Sequence, residues 1–106
     1  MLQKILSVSH PRVVQNEEVV IIQGDEGDLF YLILSGSCDV YTNQTVKKGK
    51  IIQQQQNLNS LVKGNFFGEI SLIHNCIRTT TVKSNTSSTL AVIQKHDFLE
   101  FEIIIF

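Results

Sequence analysis

Apolar segments in this chain are short, rich in β-branched residues, and broken at glycine or at polar turn clusters. Residues 19–23, 29–34, 38–42, 78–83 and 89–94 carry such segments, and most of the six glycines fall where they break. Val, Ile and Thr supply 30 of the 106 residues, and these side chains favour pleated, half-buried surfaces. Many short runs with turn signals between them predict an all-β sandwich or barrel. Uninterrupted apolar stretches, such as 19–22, 32–34 and 103–106, fall far short of the ~18–20 residues that span a bilayer. A length of 106 residues fits one domain with a single thin core.

Read in order, Leu2, Ile5 and Leu6 sit at helical spacing, and His10-Pro11 ends that turn. Strands are expected at 13–14, 19–23, 29–34 and 38–42, the last with Cys38, Val40 and Thr42 on one face. Residues 24–28 form a turn cluster and 35–37 a tight turn. Residues 43–63 read as an expanded hairpin with its tip near 47–50 and a glutamine run at 53–56. The period then changes: Phe66, Ile70 and Ile73, with Phe67 beside them, fit one short helical face. Residues 78–83 and 89–94 return to strand. The chain closes with a helix signal, Asp97 as N-cap and Glu100 at capping-box spacing, with Phe98, Phe101 and Ile105 on one face.

Charge excludes several function classes. Nine Lys+Arg against ten Asp+Glu give a net charge of −1, which does not build a nucleic-acid or membrane surface by bulk attraction. No basic n-region and apolar h-region opens these residues, so no signal peptide is expected. The two cysteines, Cys38 and Cys76, have no CxxC spacing and read as free thiols of a reducing compartment, so a cytoplasmic location is expected. His10, His74 and His96 are too dispersed for a metal site, and the acidic turn at 25–28 lacks calcium-loop spacing. No nucleophile–base motif is present, so the chain is not expected to be an enzyme.

One stretch carries chemistry: Phe67-Gly68-Glu69-Ile70-Ser71-Leu72-Ile73, followed by Arg78-Thr79-Thr80-Thr81-Val82. Gly68 allows close backbone approach. A short helix starting at Glu69 leaves its first N–H groups without intrahelical partners, which suits an anion. Arg78 can clamp a phosphate bidentately, in a segment with no other charge from 70 to 82. Ionised Glu69 accepts from a hydroxyl pair such as a ribose edge, and Thr79 and Thr80 add hydroxyls. Anion donors, an acid for sugar hydroxyls and one arginine describe a cyclic nucleotide site. The competing reading is a simple Glu69–Arg78 salt bridge inside a β-roll.

This stretch resembles the phosphate-binding cassette of cyclic nucleotide-binding domains, as in regulatory regions of cAMP- and cGMP-dependent protein kinases and in cyclic nucleotide-gated channels. A second signature matches upstream, Ile22-Gln23-Gly24-Asp25-Glu26-Gly27-Asp28-Leu29-Phe30-Tyr31 followed by Ser35-Gly36, so the likeness runs from about residue 14 to 101. It implies an eight-stranded, jelly-roll-like β-roll with short flanking helices, a helical cassette and a C-terminal helix. It implies that Glu69 accepts from the ribose 2′-hydroxyl and that Arg78 binds an exocyclic phosphate oxygen. Backbone N–H groups at Ile70, Ser71 and Thr79 would cradle the phosphate, with Gly68 permitting the approach and Thr80 adjoining. Threonine directly after the arginine is associated with cGMP in the kinases, although some channels carry it and answer to cAMP.

Ile77 replaces a common proline, and Asn75-Cys76 a common glycine-containing turn. The 25 residues between Tyr41 and Phe67 exceed the family's usual span. The single domain, residues 1–106, is expected to lack the helix that lids the base, and its apolar end is expected to meet an effector protein or further domains of a longer chain. Three alternatives stand beside a cAMP or cGMP sensor. One is a non-binding structural domain of the same fold, docked within a larger assembly. Another is a catabolite-activator-type regulator, which needs a helix-turn-helix that residues 1–106 do not contain. The third is a cupin-type enzyme, whose clustered metal ligands are missing.

Overall fold

The computed structural model describes the backbone of residues 2–46 and 52–105, and the side chains of residues 5–42 and 57–100. Helix α1 (Leu2–Val8) is followed by strands β1 (His10–Val14), β2 (Val19–Ile21), β3 (Leu29–Ser35), β4 (Ser37–Val46), β5 (Ile52–Val62) and β6 (Phe66–Phe67). Helix α2 (Glu69–Ile73), strands β7 (Thr81–Ser84) and β8 (Ser88–Gln94), and helix α3 (Lys95–Ile105) complete the chain. The eight strands form two antiparallel four-stranded sheets, ordered β1-β8-β3-β6 and β2-β7-β4-β5. The expected β-roll with short helices is therefore present.

Strand β3 shows why its sequence is almost uniformly apolar. Tyr31 and Ile33 point between the sheets, where they meet Val14, Ile21, Cys38, Val82 and Leu90. Phe30 points the other way, into a second cluster with Ile5, Leu72, Ile93 and Phe98 beneath the helices. A strand buried on both faces has no polar side to alternate with. Phe30 links the layers, stacking on Phe66 at 5.1 Å and meeting Phe98 at 4.5 Å between ring centroids. Pro11 is accommodated because β1 lies at a sheet edge, opposite Ala91 of β8.

The 43–63 segment is a long hairpin: β4 and β5 pair from Ser37↔Val62 out to Val46↔Ile52, with a bulge beside Val40. The expected lysine-rich tip at 47–50 lies outside the described residues, as do the side chains of the glutamine run and of Phe101 and Ile105.

Two local expectations are corrected. Phe66 and Phe67 are not helical; they pair with Leu32 and Tyr31 as β6, and the helix begins only after Gly68. Gly68 has φ +90°, a left-handed conformation that separates strand from helix. Consequently Ser71 and Leu72 are the buried residues of α2 and Ile70 is 46% exposed. Asp97 is not an N-cap, because α3 starts at Lys95. Strand β8 runs directly into this helix, and the Lys95 N–H donates to the carbonyl of Asp28 at 2.9 Å, so no carboxylate cap is required there.

Candidate functional site

All seven residues singled out in the sequence, Gly68, Glu69, Ile70, Ser71, Arg78, Thr79 and Thr80, line one cavity of about 230 Å³. Its opposite wall is a row across the second sheet. Ile21 pairs with Val82, Val82 with Val40, and Val40 with Asn59, and all four line the cavity. One wall is therefore polar and cationic, and the other mostly apolar.

Arg78 is the centre of the polar wall. It is 5% exposed. Its Nη1 donates to Gly68 O and to Ser71 Oγ, both at 2.8 Å, and Nη2 donates to Leu29 O at 2.8 Å. Its backbone is held as well: the Arg78 N–H donates to Asp25 O at 2.7 Å, and the Gly24 N–H donates to Arg78 O at 2.9 Å. The two separated sequence signatures thus meet on this one residue. The 24–29 loop grips its main chain and part of its guanidinium, and the 68–71 turn grips the rest.

No carboxylate lies within ion-pair distance of Arg78 among the described residues. The salt-bridge reading is therefore not realised; the guanidinium bonds only to neutral acceptors. Burial pulls its pKa below the ordinary arginine value, opposed by the nearby Tyr31, Asp28 and Glu69. Desolvating a cation costs several kcal/mol, and three charge-assisted hydrogen bonds offset that cost without neutralising the charge. A buried guanidinium with no carboxylate at ion-pair distance among the described residues, lining a cavity, can receive an anion.

Donors surround it. The N–H groups of Glu69, Ile70 and Ser71 open α2 and cannot bond within it. Glu69 is half-buried, lines the same cavity and forms no ion pair with Arg78. Thr79 is exposed and Thr80 half-buried at the cavity margin. Tyr31 stacks on Phe67 at 4.8 Å behind Gly68, and burial pushes its phenol pKa up.

The sequence reading missed Gly27 and Asn59. Gly27 reads as a turn glycine, yet it packs against the Arg78 side chain. Asn59 sits in the segment read as an expanded hairpin without function, and nothing local marks it. Among the described residues no group of three or more His, Cys, Asp or Glu could hold a metal. Cys38 is a buried and Cys76 an exposed free thiol. No described helix is long and apolar enough to cross a membrane.

Comparison with known proteins places this geometry. The family model described as "Cyclic nucleotide-binding domain" matches residues 11–102. A cGMP-dependent protein kinase of Plasmodium berghei is 41% identical over 86 residues, covering 81% of this chain and 9% of the kinase. A cAMP-dependent protein kinase regulatory subunit of Schizosaccharomyces pombe is 38% identical over 96 residues, covering 91% of this chain and 21% of the subunit. The regulatory domain of Toxoplasma gondii PKA, crystallised with cAMP, has the same fold, with a TM-score of 0.81 at 21% identity over 93% of this chain and 36% of that one. This chain thus spans a small part of the curated relatives it matches.

Proposed function

The chain belongs to the cyclic nucleotide-binding domain family, and on that premise we propose that it is a regulatory module that binds cAMP or cGMP in the cavity beside α2. The observation that carries this reading is Arg78, buried, bonded only to neutral acceptors and lining the cavity. Its Nε–H and second Nη2–H, without partners among the described residues, take exocyclic phosphate oxygens as a fork. The free N–H groups at Ile70 and Ser71, with that of Thr79, complete the anion cradle. Glu69 accepts from the ribose 2′-hydroxyl. Thr79 and Thr80 stand where phosphate and base meet.

Ligand is sensed by population shift. Closing α2 around a phosphate moves Leu72, which packs with Phe30 and Phe98 under the helices. Phe98 belongs to α3, so the cassette and the C-terminal helix share one apolar cluster and repack together. The partner that reads this movement is a further domain or an effector protein contacting α3. The module itself catalyses nothing; catalysis belongs to whatever it regulates.

Calorimetric titration with cAMP and with cGMP at matched salt tests the reading. Saturable binding at micromolar or lower concentration is expected for at least one of them. A folded domain that binds neither would sink it and leave the fold as a scaffold within a larger assembly.

A further inference from the structure

Strand β5 is the last strand of its sheet, and no described residue pairs with its outer edge. Its eleven residues, Ile52–Val62, contain no charge, no proline and no glycine. The pairing of β4 with β7 ends at Tyr41↔Thr81, whereas its pairing with β5 continues from Thr42↔Gln56 to Val46↔Ile52. Residues 42–46 and 52–56 therefore form a two-stranded ribbon that has left the sheet. Such a ribbon is marginal in water, and a third strand is what gives it independent stability. On its β4 side the ribbon starts against Gln23, whose Oε1 accepts from Thr42 Oγ1 at 3.4 Å. Its β5 side continues the open edge of the sheet.

Natural edges are blunted by bulges, charges or proline. Residues 58–62 have such devices: Leu58 falls outside the regular pairing, and Ser60 donates to the carboxylate of Asp39. Residues 52–57 have none, and an uncharged, unpaired edge is a template for another strand. Composition selects that strand. Gln53, Gln54, Gln55, Gln56 and Asn57 carry amides, which donate and accept alike, so the run is complementary to itself. A two-fold axis at Gln55 sets that residue opposite its own copy, Gln54 opposite Gln56 and Gln53 opposite Asn57, which pairs an amide residue with an amide residue at all five positions. A charged peptide would find no counter-charge between 51 and 62, whereas a second copy brings no charge to that edge and, at a net charge of −1, little repulsion elsewhere.

We propose that residues 52–57 of β5 are an interface at which two copies of this chain join edge to edge, antiparallel about a two-fold axis at Gln55. The two four-stranded sheets β2-β7-β4-β5 then become one sheet of eight strands, and each ribbon gains its third strand. The axis uses the same edge of both copies, so the assembly closes at two. The contact is small, which makes the association weak and dependent on concentration. It stands independently of the cyclic nucleotide reading of the cavity.

The test is sedimentation equilibrium of the whole chain from about 10 µM to about 1 mM at low salt, a range that registers any dissociation constant below ~1 mM. A monomer–dimer equilibrium is expected. Gln54→Lys with Gln56→Lys sets like charges at both reciprocal pairs and should raise the dissociation constant about tenfold or more. Gln54→Glu with Gln56→Glu should do the same. An equimolar mixture of the two variants should dimerise again, since each lysine then meets a glutamate. Circular dichroism confirms that both are folded. Hydrogen exchange on the unsubstituted chain reads the edge without any variant: amides within 52–57 should exchange more slowly at the high end of the concentration range. A monomer throughout overturns the proposal, and so does a species larger than a dimer. A dimer with unchanged exchange at 52–57, a dimer that either folded variant leaves undiminished, or a mixture of folded variants that stays monomeric overturns it as well.

Discussion

A methyl group placed on Gly27 would lie 2.3 Å from both Cζ and Nε of Arg78, and 2.6 Å from Ser71 Oγ. The bare α-carbon of Gly27 is the floor on which the guanidinium rests. Gly27 has no positive φ, so its requirement is one of space and not of backbone conformation.

Gly27→Ala should therefore displace Arg78 while leaving the loop backbone relaxed. Overpacking of this kind costs about 1–3 kcal/mol, and the displaced guanidinium loses its alignment to the phosphate. Cyclic nucleotide affinity should fall at least ~10-fold, each factor of ten being about 1.4 kcal/mol, with the melting temperature lowered. Wild-type affinity in a folded Gly27→Ala would show that the phosphate does not depend on this guanidinium seat.

Arg78→Lys keeps the charge and loses the fork. An ammonium cannot donate to Gly68 O, Ser71 Oγ and Leu29 O and still present two parallel N–H groups to a phosphate. Binding should weaken by about an order of magnitude or more. Glu69→Ala should also weaken it, by loss of the ribose contact. If titration finds both variants at full affinity, the assignment of the cassette is wrong.

Thr79→Ala should lower the cGMP/cAMP affinity ratio, since it removes an exposed hydroxyl at the cavity margin without touching the core. The two affinities measured side by side decide this. An unchanged ratio would leave Thr79 with no part in base selection.

The two thiols should differ in reactivity. Cys38 is fully buried, and burial, with Asp39 next to it, pushes its pKa up, so little thiolate forms. Cys76 is exposed. Iodoacetamide at mildly alkaline pH should modify one cysteine of the folded protein and both after denaturation, as counted by mass spectrometry. Rapid double labelling of the native protein would contradict the packing around Cys38.

Acid should weaken the second sheet through Asp39. Ser60 Oγ donates to its carboxylate at 2.7 Å and Asn85 Nδ2 at 2.9 Å, and these bonds hold its pKa below the ordinary carboxylate value. A folded-state pKa below the unfolded one gives stability that is present above the unfolded value of ~3.9 and lost as pH falls through the folded value. Melting temperature should decline below about pH 4, and Asp39→Asn should flatten that decline. The effect is small because the group is largely solvated; identical acid profiles for the two proteins would exclude it.

Much of this molecule is legible in one dimension. Most of the strands follow from short β-branched runs cut at glycines or polar turns, because strand formation and chain reversal depend on residues within a few positions of one another; β6, whose two phenylalanines read as part of a helical face, does not. The seven site residues also lie in two short blocks, 68–71 and 78–80, so contiguous chemistry marked them before any contact was known. Tertiary structure decided what those residues meet. Whether Arg78 pairs with Glu69 or with neutral carbonyls depends on Leu29, 49 positions away, and on the loop that holds its backbone. Gly27 is indistinguishable from any turn glycine until a guanidinium is packed against it. Asn59 enters the cavity wall only because antiparallel pairing sets it beside Val40. Even the start of α3 was set by a carbonyl from Asp28 and not by its own capping signal. Local propensity is a property of neighbouring residues, whereas the partner of a buried charge is chosen by chain segments that only folding brings together.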